Sequence, residues 1–213
     1  MFDAASHLGA TTRAVEDSTH EGTPVKVVVA SRTYPTDAAD LWSAVTDPER
    51  IPRWFAPVSG ELRVGGRFQV EGNAGGEVVS CDEPTHFAIT WEFGGETSWV
   101  DVRLDEDDEG TTLTLRHAAD VSGNEHWPTY GPGAVGVGWE LGLMGLAEHL
   151  ATGSSIPHEE VEGWGASADG QAFMTGAATR WGEADAAVSG DPEASREAAA
   201  RTAAFYTGAE PPA

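Results

Sequence analysis

The feature that most limits how this chain can fold is a series of short alternating runs that begins after Gly60. Within each run, apolar and polar residues alternate with a period of two, which is typical of half-buried β-strands. Turn signals separate the runs, and this pattern indicates a meander rather than βαβ units. Gly65-Gly66 predicts a two-residue hairpin turn. The predicted strands are Glu61–Val64, Arg67–Glu71, Gly76–Cys81, Thr85–Phe93, Thr97–Leu104 and Thr111–His117.

Residues before the meander predict one further strand and two short helices. The run Val25–Tyr34 is rich in β-branched residues, which predicts a long first strand and seven strands in all. Thr36 or Asp37 can cap a short helix that extends to Val45. Asp47, followed by a proline, can cap a second short helix.

The segment Val135–Ala151 carries apolar residues at helical spacing, and Gly153 follows it as a C-terminal signal. We predict a long amphipathic helix with one stripe facing the sheet. Leu141 and Met144 point roughly away from that stripe and require a cover. The stripe consists of Trp139, Leu143, Leu146 and Leu150.

Together these elements predict an α+β domain over residues 24–153, in which a curved seven-stranded antiparallel sheet grips the long C-terminal helix. This is the helix-grip fold. Residues 1–23 show no periodicity, and we expect a flexible leader that contributes little to the core.

Residues 154–213 are expected to form a helical extension. Ser167 can cap one helix and Asp191-Pro192 can open another, which Gly208 ends. Both helices are amphipathic, so they must bury their aromatic side chains. We expect the extension to pack on the exposed side of the long helix or to form a lid over a cavity mouth. The alternative is an interface between two copies, which leaves the protein a monomer or a homodimer.

The order of these elements resembles that of a known superfamily. The segments that carry the resemblance are SRTYPTDAADLWSAVTDPERIPRWF, LRVGGRF, ITWEF, GTTLTLRH and GWELGLMGLAEHL. They resemble the START and birch-pollen-allergen superfamily, called SRPBCC, and within it the branch named for homology to the activator of a heat-shock-protein ATPase. The resemblance covers residues 25–153 and implies a cavity between the sheet and the long helix.

Alternation predicts which side chains line that interior, and they form a wall rich in aromatic residues. Such a wall suits a lipid, a sterol, a polyketide or another aromatic compound. A packed core is the alternative that periodicity alone favours, whereas the resemblance favours a cavity. The predicted ligand-binding residues are Phe68, Phe87, Ile89, Trp91, Phe93, Val102, Leu113, Leu115, His117, Trp139 and Leu143.

His117 is the most notable polar residue of this set, because it ends a strand beside a loop. It is either a hydrogen-bond donor or proton shuttle for a ligand, or a histidine satisfied by a backbone carbonyl. Trp139 is either a ligand anchor or a core residue. Other charged candidates, Arg63, Asp101 and Arg103, fall on outward faces, so no catalytic residue is assigned.

The sequence predicts neither a metal site nor a cofactor. The seven histidines show no metal-binding spacing, and there is no phosphate-binding or dinucleotide-binding glycine motif. Cys81, the single cysteine, is expected to be a buried inert thiol and excludes an internal disulfide.

The formal charge of −23 arises from 35 acidic and 12 basic side chains. Such a charge repels phosphate backbones and anionic membranes, so we expect no nucleic-acid partner. No apolar stretch is long enough for membrane insertion, which predicts a cytoplasmic protein. The acidity is consistent with salt adaptation or with codon usage.

Three functions remain open from the sequence. The first is binding of an apolar small molecule in the internal cavity. The second is an aromatase or cyclase type of enzyme that uses the same cavity and moves protons through groups such as His117. The third is a chaperone accessory role, which the branch name suggests, although we expect no additional chaperone-contacting domain before Pro24.

Overall fold

The computed structural model describes residues 3–123, 126–155 and 157–211. Residues 1–2 of the predicted leader, residues 124–125 of the loop after the last strand, and residues 156 and 212–213 of the predicted extension lie outside the described residues. The strands are β1 (Thr12–His20), β2 (Thr23–Tyr34), β3 (Val58–Gly60), β4 (Arg67–Val70), β5 (Gly75–Asp82), β6 (His86–Phe93), β7 (Glu96–Asp107) and β8 (Gly110–Ala119). The helices are α1 (Ala4–Ala10), α2 (Ala38–Thr46), α3 (His126–Tyr130), α4 (Gly133–Thr152), α5 (His158–Gly165), α6 (Ala168–Ser189) and α7 (Pro192–Thr207).

The strands form one sheet in the order β1-β2-β8-β7-β6-β5-β4-β3. From β3 to β8, each strand pairs antiparallel with the next strand of the chain, so the predicted meander is confirmed. Tight turns such as Gly94-Gly95, where both glycines have positive φ, allow this local pairing. The predicted long helix is also present, as α4, and Gly153 with a φ of +68° follows its last residue.

The strand count differs from the predicted seven, because the described residues form eight strands. Glu61–Val64 is not a strand, and the edge strand β3 lies immediately before it. Gly60 has a φ of +106°, and a side chain there would collide with the backbone of β4. The chain therefore turns at Gly60. Gly65-Gly66 closes a loop instead of a hairpin, and the Gly65 amide donates to the Val78 carbonyl at 2.8 Å.

The two helices predicted after the long strand have different outcomes. Helix α2 is present, and the Asp37 side chain caps it by accepting a hydrogen bond from the Asp40 amide at 2.8 Å. The second predicted helix is wrong, because the chain forms a turn and then a short 3₁₀-helix at Ile51–Arg53. Pro52 has no N–H and cannot donate the i→i−4 bond that an α-helix needs at this position.

The predicted flexible leader is also wrong, because its residues form α1 and β1. The Asp3 side chain caps α1, and its Oδ1 accepts a hydrogen bond from the Ala5 amide at 3.1 Å. Val15 of β1 is buried, and both elements pack against α6. The segment has no strong period of its own, so its structure depends on contacts with residues distant in sequence.

A buried ion pair joins β1 to the first half of α4. The Nε of Arg13 lies 2.7 Å from Oε1 of Glu140, and Nη2 lies 2.5 Å from Oε2. The two side chains are 7% and 0% exposed. The same guanidinium donates to the carbonyls of Thr11 and Leu8, so both charged groups have partners despite their burial.

Two compact units divide the chain, and their limits differ from the predicted domain of residues 24–153. The first unit contains the described parts of segments 1–30, 120–141 and 157–213. The second contains the described parts of segments 31–119 and 142–156. The boundary therefore lies inside β2 and inside α4, and the leader and the extension belong to the same unit.

The helical extension contains α5 in addition to the two predicted helices. Helices α6 and α7 begin at the predicted caps. Helix α7 is hydrogen-bonded to residues at and just before the start of α4. Thr202 Oγ1 of α7 donates to the carbonyl of Tyr130, the last residue of α3, at 2.7 Å. In the same region the Tyr206 hydroxyl donates to the Ala134 carbonyl at 2.8 Å.

Trp181 of α6 is fully buried and lies against Gly136 of α4. The extension therefore packs on the first half of α4, on residues that precede the predicted positions Leu141 and Met144. Met144 is buried and Leu141 is half-buried. A role of the extension as a lid or as a dimer interface stays a prediction.

We expect Gly136→Ala to destabilise the protein by about 1–3 kcal/mol, because an overpacked core costs more than the alanine gains in helix propensity. The new Cβ would lie 2.5 Å from Nε1 and 2.6 Å from Cδ2 of Trp181. Gly163 in α5 is the matched control, since a Cβ there has no neighbour within 4 Å. Urea denaturation measures both variants, and equal stability of the two would contradict the close contact.

Arg13→Met should reduce the free energy of unfolding by about 3–5 kcal/mol, because it leaves Glu140 buried without its cation. The double variant Arg13→Met/Glu140→Met should lose less unfolding free energy than Arg13→Met, since no uncompensated buried charge remains. Lys26→Met is the control, because its partner Asp17 is 70% exposed and a pair of this kind contributes at most about 1 kcal/mol. A single Arg13 variant as stable as the double variant would exclude a structural role for the pair.

Candidate functional site

The sheet of the second unit turns one face, here called the inner face, toward the part of α4 that belongs to this unit. The register brings the residues that alternation assigns to this face into cross-strand rows. One row crosses β6, β7 and β8 at Phe87, Val102 and Leu115. The next row crosses them at Ile89, Val100 and His117.

Contacts made by α4 identify the inner face. The Tyr34 hydroxyl of β2 donates to the Leu143 carbonyl of α4 at 3.1 Å. A Cβ at Gly142 would lie 3.6 Å from the ring of Phe55. Phe55 packs against the buried cluster of Phe68, Val70 and Val78, and so do Ile89 and Trp91. The face with Ile89 is therefore the one that α4 covers.

Burial on the inner face varies between strands. Val100 and Val102 of β7 are buried, as is the cluster of Phe68, Val70 and Val78 on β4 and β5. Between these two regions, the residues of β6 are only half-buried. They are Phe87, Ile89 and Trp91. The middle of the inner face is therefore an accessible apolar strip bordered on both sides by buried residues.

His117 is the main polar group of the inner face, and it is only 5% exposed. Its Nε2 lies 2.7 Å from Ser98 Oγ, and Ser98 Oγ donates to the Trp91 carbonyl at 3.1 Å. Because the single hydroxyl proton of Ser98 is used in that bond, Nε2 of His117 must donate to Oγ. The ring of Trp91 lies edge-on at 6.4 Å from the imidazole. One partner of the imidazole is thus a serine hydroxyl, whereas the sequence suggested a backbone carbonyl.

Burial lowers the pKa of His117 from 6.5 to about 4. A charged imidazole would lose its hydration in this apolar surrounding, so the neutral form is favoured. At neutral pH the residue is therefore an uncharged hydrogen-bonding group.

Two predicted site residues, Phe93 and Trp139, do not lie with the others on the inner face of the second unit. Phe93 is 62% exposed at the end of β6, so the prediction that it lines the interior is wrong. Phe93 is the last residue of β6, and the hairpin turn at Gly94-Gly95 follows it directly. Trp139 is half-buried and belongs to the first unit, and its role as a ligand anchor stays a prediction.

Three further predicted residues, Leu113, Leu115 and Leu143, are buried in the second unit. Leu113 and Leu115 alternate along β8 with outward-facing threonines. Leu143 is buried on α4. The structure therefore brings together nine of the eleven predicted residues on the inner face and the adjoining helix, without Phe93 and Trp139.

Arg32 is a charged residue of the inner face that the sequence interpretation did not assign. Its neighbours Ser31 and Thr33 bond through their hydroxyls to Thr114 and Thr112, at 2.9 and 2.7 Å, on the outer face. Because strand side chains alternate, Arg32 and Tyr34 lie on the inner face. The same alternation rule could have found it, but the run that precedes it is apolar on both faces.

The outer face carries the charged residues that the sequence places there. Asp101 Oδ2 lies 2.6 Å from His86 Nε2, and its other oxygen lies 3.3 Å from Arg103 Nε. Arg63 is exposed in the loop after β3. Among the described residues, no group of His, Cys, Asp and Glu side chains could hold a metal ion.

Cys81 is exposed, which corrects the expected burial. A register shift between Val78 and Ser80 precedes it, and it stands near the end of β5 opposite Phe87. Partial burial and the nearby carboxylates of Glu83 and Asp82 raise the pKa of its thiol. The thiol therefore stays protonated and is a weak nucleophile.

Comparison with known proteins fits this architecture. The model of the family described as activator of Hsp90 ATPase homolog 1-like proteins matches residues 35–151. The chain belongs to this family. The family falls in the SRPBCC superfamily, as the sequence resemblance implied, and its members typically bind hydrophobic ligands. No protein of curated function matches the chain.

Solved structures extend the likeness beyond the matched family region. The crystal structure of CalU16 from Micromonospora echinospora is 31% identical, covers 82% of this chain and 98% of its own, and gives a TM-score of 0.64. Its solution NMR structure is 30% identical, covers 85% and 97%, and gives 0.70. DynU16, from the dynemicin biosynthetic locus, is 24% identical over 61% and 48% with a TM-score of 0.52, and shares the fold.

The helices give no indication of a membrane span. Within the described ranges, none combines the length and the apolar character needed to cross a bilayer.

His117→Gln should flatten the dependence of stability on pH, because glutamine can still donate to Ser98 but does not titrate. With pKa values of 6.5 unfolded and about 4 folded, the unfolded chain binds more protons between them. The free energy of unfolding therefore rises with pH across this window, and the protein loses about 2 kcal/mol between about pH 7 and about pH 4.5. Urea denaturation of both proteins at these two pH values measures the difference. An identical pH dependence would show that His117 is not titrated in this way.

Proposed function

We propose that the protein binds an apolar small molecule on the inner face of the second unit, under the residues of α4 from Gly142 onward. The observation that carries this proposal is the half-buried strip of Phe87, Ile89 and Trp91 between buried neighbours. Apolar side chains in the middle of a sheet face are normally covered as completely as those beside them. A ligand that covered the strip would remove this apolar surface from water.

Family membership supports the same function, because hydrophobic ligands are typical of these proteins. The strip offers aromatic and aliphatic groups together, and this mixture suits a lipid, a sterol, a polyketide or another aromatic compound. The pair of His117 and Ser98 lies at one end, beside Trp91, and supplies a neutral polar group. A ligand with a hydroxyl or carbonyl group at that end would match it.

The state of His117 favours binding over catalysis. A general acid or base works best when its pKa lies near the operating pH. Burial holds the pKa of His117 at about 4, so the imidazole holds a proton in only about one molecule in a thousand at neutral pH. An aromatase or cyclase reaction that relied on its protonated form would be slow for this reason.

The experiment uses N-phenyl-1-naphthylamine, an uncharged apolar probe whose fluorescence rises when it leaves water. We expect saturable binding to the full chain and a loss of about tenfold in affinity for Phe87→Ala, because the ring supplies roughly 1.5 kcal/mol or more of apolar contact. Phe93→Ala is the matched control on the same strand with the same parity, and its ring is already 62% exposed.

Thermal denaturation of both variants first establishes that they fold. No saturable binding by the wild-type chain would refute the proposed function. Equal losses for Phe87→Ala and Phe93→Ala would show that the probe does not bind at the strip.

A further inference from the structure

We propose that the ligand of this site carries a hydrogen-bond donor, such as a phenol or alcohol hydroxyl, and that Nε2 of His149 accepts it. This inference rests on the proposed function, and it specifies the class of ligand more narrowly. It starts from a buried acceptor atom whose hydrogen bond no described residue of the chain supplies.

The imidazole of His149 is held near the end of α4 by one hydrogen bond. The residue is 2% exposed, and its Nδ1 lies 2.9 Å from the carbonyl oxygen of Ser154. A carbonyl oxygen only accepts hydrogen bonds, so Nδ1 carries a proton and donates it. In the neutral imidazole the second nitrogen, Nε2, then has a lone pair and is an acceptor.

Nε2 of His149 is buried, and among residues 3–123, 126–155 and 157–211 it has no hydrogen-bond partner. Buried polar atoms are nearly always hydrogen-bonded, because an unmatched acceptor gives up its bond to water without compensation. An acceptor of this kind beside a proposed binding site therefore indicates that the partner comes from the ligand.

Asp40 of α2 is within electrostatic range of His149, but it is not the partner of Nε2. Its Oδ1 accepts a hydrogen bond from Arg50 Nη1 at 2.8 Å, and its Oδ2 accepts one from Thr36 Oγ1 at 2.8 Å. An ionised carboxylate has no proton to donate to a lone pair. The donor that Nε2 needs must therefore be a hydroxyl or an N–H group.

His149 lies on the side of α4 that borders the strip. Seven residues separate it from Gly142, so the two positions are about 20° apart around the helix. A Cβ at Gly142 would lie 3.6 Å from the ring of Phe55 and 3.8 Å from the ring of Trp54. Phe55 packs against the same buried cluster as Ile89 of the strip. The same side of α4 therefore carries His149 and faces these rings.

Apolar surface connects the strip to this side of α4. Trp54 and Phe55 are only half-buried, and their ring centroids lie 5.6 Å apart. The indole N–H of Trp54 already donates to the Ala44 carbonyl at 2.9 Å. The two rings therefore offer apolar contact, while Nε2 of His149 offers a hydrogen bond.

This combination selects for ligands that have a donor. A ligand without one would cover the strip but would leave Nε2 buried and unmatched, which lowers its affinity. A ligand with an apolar body over the strip and a hydroxyl toward the C-terminal half of α4 would satisfy both parts of the site.

The test compares two uncharged ligands that share a biphenyl body. 4-Phenylphenol has a hydroxyl that can donate, whereas the ether oxygen of 4-methoxybiphenyl can only accept. Displacement of N-phenyl-1-naphthylamine from the full chain gives both dissociation constants and establishes that the ligands share its site. The measured quantity is the donor preference, defined as the dissociation constant of the ether divided by that of the phenol.

We expect His149→Asn to lower the donor preference about tenfold, because asparagine keeps an N–H near the position of Nδ1 but removes Nε2. His149→Gln places a carbonyl oxygen near the position of Nε2 and should stay within about threefold of the wild type. His86→Asn is the control on the outer face, where the ring bonds to Asp101, and should change the preference less than about twofold. Thermal denaturation establishes that each variant folds.

Nitrogen-15 NMR of the imidazole gives a second measurement on the wild-type chain. We expect Nδ1 to be protonated and Nε2 to be unprotonated in the free protein. The Nε2 resonance should move upfield when 4-phenylphenol binds and should not move when 4-methoxybiphenyl binds, because only the phenol donates to it. If His149→Asn does not fold, this measurement decides.

The outcomes separate the two proposals. An unchanged donor preference in folded His149→Asn, with N-phenyl-1-naphthylamine still bound, overturns the donor class and leaves the binding function intact. Equal decreases for His149→Asn and His149→Gln also overturn it, because the acceptor atom is then not responsible. An Nε2 resonance that is the same with and without 4-phenylphenol has the same meaning. Failure of N-phenyl-1-naphthylamine to bind the wild-type chain refutes the binding function itself.

Discussion

The unbroken antiparallel register of β6, β7 and β8 is the constraint on which the candidate site depends. Pairing runs without a skipped residue from His86 opposite Arg103, and from Trp99 opposite Ala118. A period of two is thereby carried across three strands, and a slip of one residue would move Ile89 to the outer face. The pair β5 and β6 shows the effect of losing this order. A register shift there places Cys81 opposite Phe87, although Cys81 and Val78 differ in parity.

Burial determines the chemistry of the polar groups on this face. His117 can lose its proton, so desolvation favours its neutral form, and Nε2 is hydrogen-bonded to the Ser98 hydroxyl. Arg32 cannot lose its charge, and the ring of Tyr34 stabilises it. The same apolar surrounding thus produces a neutral hydrogen-bonding group at one place and a cationic group at another.

Strong periodic patterns made much of the fold predictable. The meander and α4 were identified because their apolar residues recur with periods of two and 3.6 over long stretches. The leader was not identified, because the run TRAVEDSTH is polar and gains its order from α6 and from the Arg13 pair with Glu140. The supposed strand at Glu61–Val64 failed for a local reason, since Gly60 already turns the chain.

The sequence by itself determined which side chains share a face, because alternation is a property of consecutive residues. It therefore assigned Phe87, Val102 and Leu115 to the inner face. Only the tertiary structure decided how deeply each of them is covered. Phe93 has the parity of Phe87 but is exposed, and Arg32 has the parity of Tyr34 but is half-buried. The division of α4 between two units was likewise invisible in its continuous helical pattern. Burial, protonation and packing depend on atoms from distant parts of the chain. The local spacing of apolar residues therefore does not predict them.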